Sequence, residues 1–283
     1  MFKKSLNRSV GGNLLLLAVL ILMACFMLLP IVYAVVTAFK PLDEIYIFPP
    51  RMYVKKPTLS NFTQLVDILS SSWVPISRYV FNSLFVAAVG VTGHVFMASM
   101  AAYPMAKHDF VGKKAFGSVI TLSLLFTYSV TYIAQYVVFA KIHWINTYMS
   151  LIAPVWSSSL GLYLMMNFMG QVPNSLLESA RIDGAKEMGV WWRIVMPNVK
   201  PAWMTIAIFA FTGVWNSGGQ FTYSENLKQM QNVFSNAAVS GGGIARAGAG
   251  AAGALLLMIP PVLLFLVCQS NVLETMTTSG MKD

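Results

Sequence analysis

Seven of the 29 residues from Pro173 to Pro201 are ionisable (Glu178, Arg181, Asp183, Lys186, Glu187, Arg193 and Lys200), while the flanking stretches hold almost none. Carboxylates, guanidinium and ammonium groups gathered this way can bind a charged partner surface, but nothing beside them completes a catalytic constellation. The phosphate-loop pattern G-x-x-x-x-G-K-[ST] is absent: Gly112-Lys113 is followed by Lys114, and residue 107 is lysine instead of glycine. No G-x-S-x-G nucleophile elbow occurs. His94, His108 and His143 are too dispersed to predict a metal site, and Cys25 and Cys268 both lie inside apolar runs, as small packing residues would. The expected chemistry is recognition, with no cofactor, no metal and no bond-making step.

The elements that must present these charges read as helix, turn, helix. Ser175 and Glu178 stand at capping-box spacing behind Pro173, which predicts a helix from near Leu176. Asp183-Gly184 ends it, because glycine permits a positive φ and a close backbone approach. A second segment runs through Trp191, Trp192, Ile194 and Val195 until Pro197 and Pro201 punctuate the chain. The result is a knob with apolar content (Leu177, Ala180, Ile182, Ala185, Met188) and a charged rim. Two readings stand: Glu178 and residues 180–185 are expected to dock on a partner, whereas Trp191, Trp192 and Ile194 are expected to pack inward.

The surroundings are membranous. The 283 residues are 57% hydrophobic and 10% charged, against about 25% charged in soluble domains. The net charge of +9 is spread over loops instead of forming the stripe a nucleic-acid binder needs, so lysines and arginines at membrane edges explain it and no nucleic acid is expected. Residues 14–39 carry no charge, more than the roughly 20 residues a span needs. The run continues 14 residues past Cys25, too long for a signal-peptide core, although Leu22-Met23-Ala24-Cys25 loosely resembles a lipoprotein box. Six spans are expected, at about 14–39, 79–103, 117–140, 149–170, 202–217 and 249–270, after a tail of residues 1–13. A short surface helix is expected from Ser60-Asn61-Phe62, and Ala245, Ala249 and Gly253 offer a small-residue face for close helix packing. Polar groups inside spans are costly, which makes Asn82, Thr92, His94, Gln135, Asn167, Trp215 and Asn216 candidates for a path through the bundle. Helix–helix hydrogen bonding is the competing explanation for each.

Glu178-Ser179-Ala180, Gly184 and Ile194-x-Met196-Pro197, at their spacings, resemble the EAA loop of ATP-binding-cassette importer permeases. Ala180-Arg181-Ile182-Asp183-Gly184-Ala185 and Pro197-x-x-Lys200-Pro201 are similar to the carbohydrate, maltose-type branch, with Ser179 and Met196 replacing the usual alanine and leucine. The likeness extends to Thr278–Lys282. It departs where Ser217-Gly218-Gly219 follows Trp215-Asn216, in place of an acidic residue and proline. The resemblance implies an all-α polytopic protein of the type I importer permease fold with six transmembrane helices. It implies a homologous second permease, two ATP-binding subunits and an extracytoplasmic solute-binding protein as partners. Glu178, Ala180, Arg181, Asp183, Gly184, Ala185 and Lys186 become the ATPase-docking residues, and Asn82, Gln135, Asn167, Trp215 and Asn216 the substrate path. The docking loop must then face the cytosol, with both termini. Charge alone is a weaker guide, with eleven Lys and Arg on that side against eight on the other. A gradient-driven transporter would place carboxylates at membrane depth, whereas all ten acids here fall in loops or tails. A scaffold would have no use for the fixed spacings of the loop.

Overall fold

The structure, a computed structural model, describes residues 10–70, 73–219, 221–239 and 246–279. Its principal helices are α1 (Val10–Ala38), α2 (Ser60–Ser70), α3 (Ile76–Lys107), α4 (Lys113–Ser123), α5 (Tyr128–Lys141) and α6 (Tyr148–Trp156). They continue as α7 (Ser159–Gln171), α8 (Asn174–Ile182), α9 (Glu187–Asn198), α10 (Lys200–Asn216), α11 (Met230–Val239) and α12 (Ala247–Ser279). No strand occurs among the described residues, and the all-α class holds.

Four stretches of the described residues are long and apolar enough to cross a membrane: Gly11–Ala38, Ile76–Lys107, Tyr148–Gln171 and Ala247–Ser270. These match the expected first, second, fourth and sixth spans. The other two differ from expectation. The third is split into α4 and α5 around residues 124–127, where the backbone bonds tighten to three-residue turns. The fifth is the 17-residue α10, joined to α9 at an 80° bend. By length and composition the described residues thus hold four candidate spans, or five with the bent pair, where six were expected.

The chain forms two compact units. In the unit of residues 1–71 and 234–256, α1 is apolar all round and exposed as far as Tyr33, the character of a helix that meets lipid or another membrane helix. Its C-terminal carbonyls find a partner in the expected short helix: Asn61 Nδ2 on α2 donates to Ala38 O at 2.9 Å and Lys40 O at 2.7 Å. Gly248 lies so close to Asn61 that any Cβ would strike its amide, and Gly253 rests on Phe234. Ala249 is fully buried, whereas Ala245 lies outside the described residues. Beyond the end of α1, the Lys55 and Lys56 amides each reach a Glu44 carboxylate oxygen at 3.0 Å. These bonds, the Lys55 one foremost, hold that carboxyl below its ordinary value.

The unit of residues 72–233 and 257–283 is built on α3. Tyr79, Asn82, Val86, Gly90, His94, Ala98 and Ala102 recur every three or four residues and form its buried face, against which α6, α7 and α10 pack. Small residues let these helices approach closely. A Cβ at Gly93 would collide with the Trp156 indole, whose Nε1 donates to Val89 O at 3.2 Å, and one at Gly161 would collide with the His94 ring.

Candidate functional site

The charged hairpin is present, and its turn follows the sequence. α8 ends with Ala185 N–H bonded to Ala180 O at 2.9 Å and Gly184 N–H bonded to Arg181 O at 3.0 Å, the paired bonds of a Schellman cap. Gly184 takes φ +81°, and nothing stands within 4 Å of where its Cβ would be. The start of the helix differs from expectation. α8 begins at Asn174 behind Pro173, no side chain caps it, and Ser175 and Glu178 lie inside it. No side chain replaces the capping box; the Lys107 ammonium instead donates to Gly170 O at 3.2 Å, Asn174 Oδ1 at 3.1 Å and Val172 O. It thereby occupies the last carbonyls of α7 and orients the first residue of α8.

The two sides of the knob differ in exposure. Leu177 and Ala180 (8% exposed) face a core made with Ala102, Met169, Val190, Trp191 and Val195. Ala180, expected among the docking residues, packs inward here. Glu178, Arg181, Asp183, Gly184 and Lys186 are exposed, Ala185 is half-buried, and Ile182 and Met188 are 86% and 59% exposed. Two apolar side chains held outside a fold by a charged rim have the composition of a contact surface. Trp191 packs inward, edge-on to Phe96 at 5.8 Å, and Ile194 lies beside the same core. Trp192 differs from expectation and remains exposed. After a π-helical turn over Trp191–Val195, Val199 breaks the helix and Pro201 falls in the first turn of α10, where a missing N–H costs nothing.

Glu187 ties the hairpin to α3. Its carboxylate accepts the Tyr103 hydroxyl at 2.7 Å and the Arg181 Nε–H and Nη2–H at 2.8 and 3.3 Å, with His108 Nε2 at 3.5 Å. The Arg181 hydrogen bond, then that of Tyr103, pulls the Glu187 carboxyl below its ordinary value. The carboxylate in turn raises Arg181 further. Glu187 is 51% exposed, and at such exposure an ion pair contributes about 0–1 kcal/mol. The contact thus fixes geometry more than it adds stability.

The polar span residues do not converge on one path. Asn82 is fully buried: its amide donates to Asn226 O at 2.8 Å and Lys228 O at 2.9 Å and accepts the Tyr148 hydroxyl at 2.7 Å. Trp215 is buried on Phe211 with its Nε1 donating to Leu257 O at 2.9 Å, and exposed Asn167 bonds back to Tyr163 O. Thr92 likewise bonds its own helix at Ala88 O. Gln135 is half-buried, and its Oε1 has no protein partner. Asn216 alone of the five expected path residues lines the bundle cavity of about 520 Å³, together with His94, Ser150, Ser158, Ser217 and Phe221. His94 is 2% exposed and its Nδ1 has no protein partner.

These helices, with an exposed charged hairpin before the bent α9–α10 pair, have counterparts among known proteins. Residues 94–269, more than half of the chain, match the family described as binding-protein-dependent transport system inner membrane component. The chain belongs to that family. It is a membrane permease subunit, as the EAA-like spacing implied. Among relatives, it is 26% identical over 205 residues to the polygalacturonan/rhamnogalacturonan transport system permease protein YtcP of Bacillus subtilis, covering 72% of this chain and 69% of that protein. It is 29% identical over 215 residues to the trehalose/maltose transport system permease protein MalG of Thermococcus litoralis, covering 75% of each. A chain of a crystallised bacterial ABC transporter for import of the acidic polysaccharide alginate superposes with TM-score 0.79 at 17% identity, over 94% of this chain and 99% of that one. The permease fold expected from the resemblance is therefore present.

For this permease, sequence reasoning found the turn and the exposed rim but missed the fastening of the hairpin. Glu187 was one charge among seven, and Tyr103 and Lys107 lay about 70 residues upstream. The available signal was that Tyr103 and Lys107 are four apart, on one face of the last turn of a span.

Proposed function

We propose that this chain forms half of the translocation path of an ATP-driven importer for an oligosaccharide, with a homologous permease as the other half. ATP is hydrolysed on two separate subunits, an extracytoplasmic solute-binding protein delivers the cargo, and the chain itself catalyses no reaction. The hairpin faces the cytosol, as do both termini. The observation that carries this reading is the knob itself: Ile182 and Met188 stand exposed around a glycine whose Cβ direction is empty. Glu178, Arg181, Asp183, Ala185 and Lys186 complete a surface suited to a cleft on an ATPase. The sugar-related names of the relatives and the alginate importer support the cargo class. Within the bundle, Asn216, His94 and three serines give the cavity polar groups on an apolar wall, the mixture a sugar ring and its hydroxyls require. Its volume lies within the roughly 300–1,000 Å³ of small-molecule sites.

The test is reconstitution of the co-purified assembly in vesicles, with labelled oligosaccharide and ATP. Gly184→Leu should insert and assemble with the second permease but lose ATP-driven uptake, because the new side chain projects from the knob into its partner. Normal uptake by that variant, or a hairpin labelled from the outer side of the membrane, would remove the reading.

A further inference from the structure

The C-terminal turn of α3 grips the hairpin at two points. At the start of α8, Lys107 holds Asn174 Oδ1 at 3.1 Å together with the last carbonyls of α7. At the other end of α8, Tyr103 and His108 meet the Glu187 carboxylate, which also holds Arg181, one residue before Ile182 closes the helix. Tyr103 and His108 pack edge to face at 5.3 Å, so both approach the carboxylate from one side. Arg181 approaches from the hairpin. Glu187 is thus the one acidic side chain among the described residues that contacts both the hairpin's first helix and the end of α3.

The same α3 continues to Gly93 and His94, against the α6–α7 break and the wall of the cavity. A helix carries displacement along its axis because its backbone bonds resist shear. The knob is continuous in chain with α7 and α10, which also line the cavity, and its motion reaches the α3 wall only as far as the knob is attached to α3. The apolar contacts of Leu177 and Ala180 supply cohesion but allow sliding, because dispersion is non-directional. A carboxylate bonded to a guanidinium on one side and a phenol on the other fixes direction and distance.

We infer that Glu187 is a positioning residue for energy coupling, joining Arg181 of the hairpin to Tyr103 and His108 of α3 so that movement of the knob tilts α3 instead of slipping past it. This rests on the importer reading and names the joint through which that importer is driven. Lys107 holds the near end of α8 as the hinge, and the Glu187 node holds the far end as the pull.

The experiment uses the full assembly in vesicles and reads oligosaccharide taken up per ATP hydrolysed, with subunit association measured alongside. Glu187→Gln keeps the side-chain shape but loses the charge that binds Arg181. It should leave association and ATP hydrolysis in place while uptake per ATP falls about five- to tenfold. Glu187→Asp should recover part of the loss, and Tyr103→Phe, which deletes one hydroxyl, should reproduce a smaller one. Unchanged uptake per ATP in both Glu187→Gln and Tyr103→Phe would overturn the inference. So would a fall of uptake and hydrolysis together with loss of the ATPase subunits, since that marks a docking or folding role. If Glu187→Gln fails to insert and pair with the second permease, the ratio for Tyr103→Phe decides alone. A wild-type assembly without ATP-driven uptake refutes the importer reading itself, and is thereby distinct from a failure confined to the variants.

Discussion

The two ends of α3 are fastened in opposite ways. Near its start, Asn82 is sealed in the bundle and its neutral amide bonds Asn226 O, Lys228 O and the Tyr148 hydroxyl, while the Ser83 hydroxyl accepts from Met230 N–H at 2.9 Å. Asn146, at φ +60°, adds bonds from Tyr223 N–H and Ser224 N–H to its Oδ1. Near its other end, roughly 30 Å along the axis at 1.5 Å per residue, the fasteners are the charged, partly exposed Lys107, Arg181 and Glu187. Buried neutral hydrogen bonds are costly to break because the partners left behind cannot reach water. Exposed ionic bonds are directional but cheap to exchange for water. One end is held by bonds that are costly to break and the other by bonds readily exchanged for water.

That contrast can be broken most forcefully at the buried end. Asn82→Ala removes three part-buried hydrogen bonds, at about 0.5–1.5 kcal/mol each. The detergent-purified protein should lose about 2 kcal/mol of stability or more, and a thermal midpoint within a degree of wild type would contradict the role of Asn82 as a staple. Gly161→Val should have an effect of similar size, because its side chain meets the His94 ring instead of open space; overpacking costs about 1–3 kcal/mol. At the exposed end, Gly184→Ala meets no neighbour and only strains a left-handed residue, about 1 kcal/mol. Its thermal midpoint should shift less than that of Asn82→Ala, and the reverse order would undo the comparison.

The smallest effect is a pH dependence of the Glu187 node. The folded carboxyl is depressed, so its contribution is present above the unfolded value and is lost as pH falls through the folded one. Hydrogen exchange over residues 174–190, corrected for intrinsic rate, should accelerate below about pH 4, under the ordinary glutamate value, and Glu187→Gln should flatten that response. A wild-type response equal to that of Glu187→Gln would show that the carboxylate does not hold the hairpin.

Much of this molecule is legible in the residues alone. The uncharged runs predict spans because burying a charge in hydrocarbon is prohibitive, and four of the expected six coincide with stretches long and apolar enough to cross a membrane. Asp183-Gly184 predicts its turn because positive φ suits glycine, and the turn is there. The failures share one cause, which is that a local pattern cannot report a distant partner. Ser175 and Glu178 keep capping-box spacing, yet both lie inside a helix whose first residue, Asn174, is held by Lys107. Asn82 and Asn167 are both amides in apolar helices, yet one is sealed and the other exposed.

The sequence by itself determined the membrane class, the absence of a phosphate-binding loop and the place of the charged knob, because each follows from composition or from bonds only a few residues apart. Only the tertiary structure decided which face of the knob is free, which polar residue meets the cavity and where the hairpin is tied to α3. Those depend on side chains some 70 to 150 positions apart in the chain being brought within hydrogen-bonding distance, as Tyr103 is to Glu187 and Asn82 to Asn226.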